Sequence, residues 1–126
     1  MRIDQLERAV QKLAPQTWFW YKDQAMIAEL VKIVDDSNFP VEIEWQGLFK
    51  DVLEDETEYG DSGHYSVVTM VDLSRHKLVI VDPYKDFRSQ DRIFTLEFFK
   101  SSWWDKNNYP DPQTGNDRLD EDRQMM

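Results

Sequence analysis

Gly63-His64-Tyr65-Ser66-Val67-Val68, followed after a short polar break by Val79-Ile80-Val81-Asp82-Pro83, is the stretch on which the reading of this chain turns. Residues 64–72 and 77–82 are rich in β-branched and apolar side chains, which suit a pleated, half-buried surface. Ser74-Arg75-His76 between them reads as a hairpin turn. If Asp72 faces His76 across that turn, Ser66 faces Asp82 and Tyr84 faces His64. His64 and Asp82 then share one face as diagonal neighbours, roughly 7–8 Å apart at the backbone. A slip of one residue would put them on opposite faces, so the argument depends on the pairing. A histidine at one strand's mouth and an aspartate at the end of the next are the base and the orienter of a nucleophile–His–Asp triad. The chain contains no cysteine, so the nucleophile expected of that arrangement is missing.

Working outward, Ile3, Leu6, Ala9, Val10 and Leu13 lie on one face of a helix over residues 3–13, which Pro15 stops. Thr17-Trp18-Phe19-Trp20-Tyr21 is short and aromatic, and reads as a strand. Asp23 is placed to cap a second helix from Gln24 to about Asp36, apolar on more than one side and suited to burial against a sheet. Pro40 opens an alternating strand, with Val41, Ile43 and Trp45 on one face and Glu42, Glu44 and Gln46 on the other. Residues 50–62 form an acidic loop. A short strand is expected near Arg92-Ile93-Phe94, and Thr95 caps a last helix from Leu96 to Trp104. From Asp105 to Asp122 the chain is polar and punctuated by Pro and Gly, and reads as irregular.

The 126 residues suffice for one compact domain, with its core in residues 3–104 and an irregular polar tail over 105–126. Five Trp, five Tyr and seven Phe argue for a packed core rather than disorder. With 15 basic and 25 acidic residues the formal charge is −10, which speaks against nucleic acid and anionic membrane as partners. No apolar run approaches the roughly 20 residues that span a bilayer. The N-terminus carries no signal-peptide hydrophobic segment, which leaves the cytoplasm as the default compartment.

Four motifs in order carry a resemblance. They are Phe39-Pro40-Val41-Glu42-Ile43-Glu44-Trp45, then Gly63-His64-Tyr65-Ser66-Val67-Val68, then Val79 to Tyr84, then Phe94-Thr95-Leu96-Glu97-Phe98-Phe99 with Trp103-Trp104. Together they resemble the C39-like peptidases of the papain-like cysteine protease fold, over most of residues 3–104. The resemblance implies that His64 is the general base toward a cysteine thiol and that Asp82 orients its imidazole. In that family the nucleophilic Cys begins a helix upstream of everything present here, with an oxyanion-stabilising Gln just before it. Gln5 and Gln11 lie on the following helix and do not correspond to that Gln. The chain thus resembles the C-terminal part of such a domain without the nucleophile-bearing helix, and His64 and Asp82 are either vestigial or await an absent Cys.

Other residues read more plainly. Ser66, two residues from His64 on the same face, is a sheet residue rather than a replacement nucleophile, and Ser62 lies in a loop. His76 is a solvated turn residue, and two isolated histidines make no zinc site. The acidic loop lacks the ligand spacing of a calcium site. No cofactor or metal is expected. Most of the tryptophans are assigned to the core.

The expected fold is thus α+β, a papain-like (C39-type) half-domain with helices packed on an antiparallel sheet of about four strands. Three functions follow. The chain is a truncated cysteine peptidase; or a pseudo-peptidase that binds a peptide or protein partner, a homo-oligomer included; or a structural interaction domain with no inherited cleft. No peptidase activity is expected of it alone, because a His–Asp pair without a nucleophile transfers no acyl group.

Overall fold

The structure, a computed structural model, describes residues 2–47 and 63–126. Among the described residues the architecture is α+β, with two antiparallel sheets and three helices. Helix α1 spans Ile3–Leu13, as its apolar spacing predicts. Its first turn is held by the Gln5 side chain, which accepts the Arg2 N–H at 3.0 Å, and by Asp4 near the positive helix end.

Helix α2 is shorter than expected. It covers Ile27–Val31 and runs on as a π-helical turn, Lys32–Asp36. Asp23 does not cap it. Gln24 takes a positive φ of 49°, and the N–H groups of Gln24 and Ala25 donate to the carbonyls of Arg123 and Gln124 instead. The helix therefore starts after Met26, whose N–H the Glu29 side chain accepts at 2.9 Å.

The main sheet has the order β1-β2-β3-β4, with β1 Val41–Gln46, β2 Gly63–Asp72, β3 Lys77–Val81 and β4 Asp91–Thr95. One face carries Val41, Ile43, Trp45, Val68, Val71, Leu78 and Ile80 into a core closed by Leu30 and Val34 of α2 and its π turn, and by Phe99 and Trp103. Phe99 belongs to helix α3, Leu96–Ser102, capped by Thr95, whose hydroxyl accepts the Phe98 N–H at 3.2 Å.

The register at the β2–β3 turn differs from expectation. Asp72 pairs with Lys77, not His76. The Asp72 carboxylate accepts the Ser74 hydroxyl and the Arg75 N–H, which widens the turn, and His76 closes it exposed, at a φ of 52°. Run unbroken, this register would set Asp82 opposite Val67, on the face away from His64. A bulge between Val68 and Met70 absorbs one residue, after which Val68 pairs with Ile80 and Val67 with Val81. Extended by one step, that pairing sets Asp82 opposite Ser66, on the side of His64. The extra residue in the turn and the extra residue in the bulge cancel at the site.

Two further expectations are corrected. Residues 17–21 form no regular strand; Trp18 and Trp20 are 81% and 79% exposed and stack on each other, so only Trp45 and Trp103 of the five tryptophans are fully buried. The tail is not irregular either. Strands β5 (Trp104–Pro110) and β6 (Asp117–Arg123) form a hairpin over the other face of β1 and β2. Its inward positions are Asp105 and Asn107, buried through hydrogen bonds rather than apolarity, and this hides the strand from a hydrophobic pattern.

Gly63 lies under that hairpin. A Cβ there would sit 2.0 Å from Asp105 Oδ1 and 2.2 Å from its Cγ, while the Asp105 carboxylate is itself held by the Lys106 N–H at 2.8 Å. Gly63→Ala is expected to lower stability by about 1–3 kcal/mol through overpacking. Urea denaturation measures it, and an unchanged midpoint would mean that Asp105 does not rest on this glycine.

Candidate functional site

The two strand ends singled out in the sequence meet. His64 is the second residue of β2, and Asp82 follows β3; His64 Nε2 and Asp82 Oδ1 are 2.7 Å apart. A carboxylate only accepts, so His64 Nε2–H is the donor of this bond. The Tyr84 ring stands edge-on to the imidazole, 6.3 Å between centroids.

Asp82 accepts three hydrogen bonds in the site. Its side chain is fully buried. Besides His64, Oδ1 accepts the Tyr84 N–H at 2.9 Å, two residues on, as Pro83 turns the chain out of the sheet. Oδ2 accepts Arg92 Nη1 at 2.6 Å. Burial alone would push this carboxyl up; the Tyr84 N–H, His64 and Arg92 outweigh it and hold the group below its ordinary value. Asp82 is therefore ionised at neutral pH.

Arg92 is the residue that reading the sequence missed. It pairs with Ile80 across β4, so it points into the core face, and its guanidinium lies 3.8 Å from the Phe87 ring centroid and 5.2 Å from those of Trp45 and Phe94. Nη1 also donates to the Gly47 carbonyl at 2.8 Å. The signal was present: in Arg92-Ile93-Phe94 the inward residues are Arg92 and Phe94, and an inward arginine needs a buried anion. Without the register nothing said which anion.

Ser66 is accounted for by packing. It is 1% exposed, and its Oγ accepts the Trp45 indole N–H at 3.0 Å. Ser66→Ala should cost about 1–3 kcal/mol by leaving that buried donor unpaired. Thermal unfolding checks it, and a loss below ~0.5 kcal/mol would show that the indole finds another acceptor. Ser62 and the acidic stretch 50–62 lie outside the described residues. Among the described residues no group of three or more His, Asp or Glu side chains is set to hold a metal ion, and no helix is long and apolar enough to cross a membrane.

Chemically the arrangement is an imidazole fixed in one tautomer by an ionised, triply bonded carboxylate. Such a carboxylate orients the ring and can stabilise an imidazolium. No family model, curated protein or solved structure matches the chain.

Proposed function

We propose that this chain carries the base half of a cysteine peptidase site of the C39-like, papain-like kind, with His64 as general base and Asp82 as its orienter. The observation that carries the reading is the 2.7 Å His64–Asp82 bond, with Asp82 anchored from behind by Arg92. The motif order Pro40-Val41, Gly63-His64, Asp82-Pro83 and the Phe-rich helix α3 supports it. The chain supplies no thiol, so no peptidase activity is expected of it alone, and on this reading the pair works with a Cys brought by another segment or another protein.

The test supplies that thiol. A synthetic helical peptide carrying a Gln shortly before a Cys is mixed with the protein, and its alkylation by iodoacetamide is timed at neutral pH. The expected result is faster alkylation with the natural chain than with His64→Ala, because a neighbouring base raises the thiolate fraction. Equal rates would remove His64 as a base. Hydrolysis of a peptide amide by the chain alone, lost in His64→Ala, would overturn the half-site reading.

A second reading, a non-catalytic relative that binds a protein partner or a second copy, draws on the exposed apolar side chains Leu13, Trp18 and Trp20.

A further inference from the structure

Strand β4 is an edge of the main sheet, and among the described residues it pairs with β3 alone. One bond shows which of its backbone groups face outward. The Leu96 N–H donates to the His76 carbonyl at 2.9 Å, one step beyond the pair Thr95–Lys77. Antiparallel pairing alternates, so Leu96, Phe94 and Arg92 turn their backbone groups to β3, while Asp91, Ile93 and Thr95 turn theirs away from it. Edges of this kind are blunted by Lys, Pro, a bulge or an inward charge. Asp91–Thr95 contains neither Lys nor Pro, and its pairing with β3 is unbroken. Its inward charge, Arg92, is already met by Asp82. At the centre of the strand Ile93 is 61% exposed, and on the opposite face Phe94 stacks on the exposed Phe98 at 5.7 Å.

Register and charge select the occupant. Paired antiparallel with itself about Ile93, the strand sets Ile93 opposite Ile93 and Asp91 opposite Thr95. The two Ile93 residues then exchange both N–H···O bonds, and each Thr95 N–H reaches an Asp91 carbonyl. Thr95 Oγ1 accepts the Phe98 N–H at 3.2 Å, and a hydroxyl that accepts can still donate, here to the Asp91 carboxylate of the other copy. No like charges stand opposite each other. The acidity of the chain also lies elsewhere. Residues 73–103, which hold β3, β4 and α3, carry six basic and four acidic side chains, against nine and twenty-one in the rest. Two copies therefore repel each other least across this edge.

We propose that β4 is the self-association surface of this protein. A second copy adds its own β4, antiparallel about a two-fold axis at Ile93, and joins the two four-stranded sheets into one. A contact built on a five-residue strand is small, which makes the dimer a weak, concentration-dependent one. The proposal does not rest on the reading of His64 and Asp82.

The chain has no cysteine, so a single introduced thiol reports the register. Across the two-fold axis the Ile93 Cα atoms lie about 5.5 Å apart, within reach of a disulfide. The two Asp91 positions are four residues out of step, roughly 14 Å apart. Under mild oxidation Ile93→Cys should form a covalent dimer at least tenfold faster than Asp91→Cys. Sedimentation of the natural chain should show a dimer that grows with concentration, and Ile93→Lys and Ile93→Pro should each weaken it at least tenfold. Ile93 is exposed and its N–H faces away from β3, so Pro is tolerated there; should it still disturb the strand, Ile93→Lys carries the test. Equal cross-linking of the two thiols would overturn the proposal. So would a natural chain that stays monomeric up to ~1 mM, which would leave the edge to a strand of another protein. So would an Ile93 amide protected from exchange in the diluted monomer, because the chain's own residues would then already cover the edge.

Discussion

Arg92→Ala is expected to destabilise the protein by roughly 3–5 kcal/mol, because it strands the fully buried Asp82 carboxylate. That is a large part of the ~5–15 kcal/mol that a typical domain has in all. The guanidinium also fills the space between Phe87, Trp45 and Phe94, so the loss is one of packing as well as charge. Urea denaturation at neutral pH measures it. The pH dependence should follow the carboxyl. The folded-state pKa of Asp82 lies below its ordinary value, so its contribution is complete above the unfolded carboxylate pKa and is lost as pH falls through the folded one. Removing Arg92 takes away one of the groups that hold this pKa down, so the acid limb of stability should move to higher pH. The double variant Asp82→Leu with Arg92→Met should recover much of the loss, since an apolar pair of similar size carries no desolvation cost. A single-variant loss below ~1 kcal/mol would show that water or another group replaces the guanidinium.

Trp45→Ala should cost a similar amount, about 3–5 kcal/mol. Trp45 is fully buried where the core and the site meet. Its ring packs against Phe94 and Phe99, at centroid distances of 5.4 and 6.2 Å, and forms one wall of the Arg92 cage. Trp45 also pairs with His64 across β1 and β2. Its removal opens a cavity beside the imidazole, so the variant should also loosen the His64–Asp82 geometry. NMR of the His64 ring nitrogens would report that as loss of the Nε2–H tautomer. Trp45→Phe keeps most of the volume but deletes the indole N–H, and should cost clearly less. If both variants cost the same, the bond to Ser66 rather than the filled volume dominates.

How much of this was legible beforehand depends on which force built each part. Helix α1, strand β1, the β2–β3 hairpin and the Thr95 cap rest on local periodicity and local capping, and all are visible in the residue order. So was the approach of His64 to Asp82. That expectation, however, rested on a pairing at the turn that is off by one residue, and the bulge beside Val68 restored it. A bulge leaves no mark in a β-branched run, because every residue in it suits a strand equally well. The partner of Arg92 was hidden for a related reason: it lies at the end of another strand, and only the ladder says which strands adjoin.

The clearest divide runs through the last twenty-odd residues. Read in sequence, Asp105 to Asp122 is charged and lacks an apolar face, so periodicity assigns it no structure. In the fold, Asn107 donates to Glu44, Gln46 donates to the Trp104 carbonyl, and Met125 pairs with β1. The hairpin is held by hydrogen bonds to residues some sixty positions away, which no local pattern encodes. What the residue order determines by itself is where apolar faces and turns fall, since burial acts on each segment's own side chains. Which polar groups become buried, and beside which charge, only the tertiary structure decides, because a buried polar group is stable only next to the partner that satisfies it.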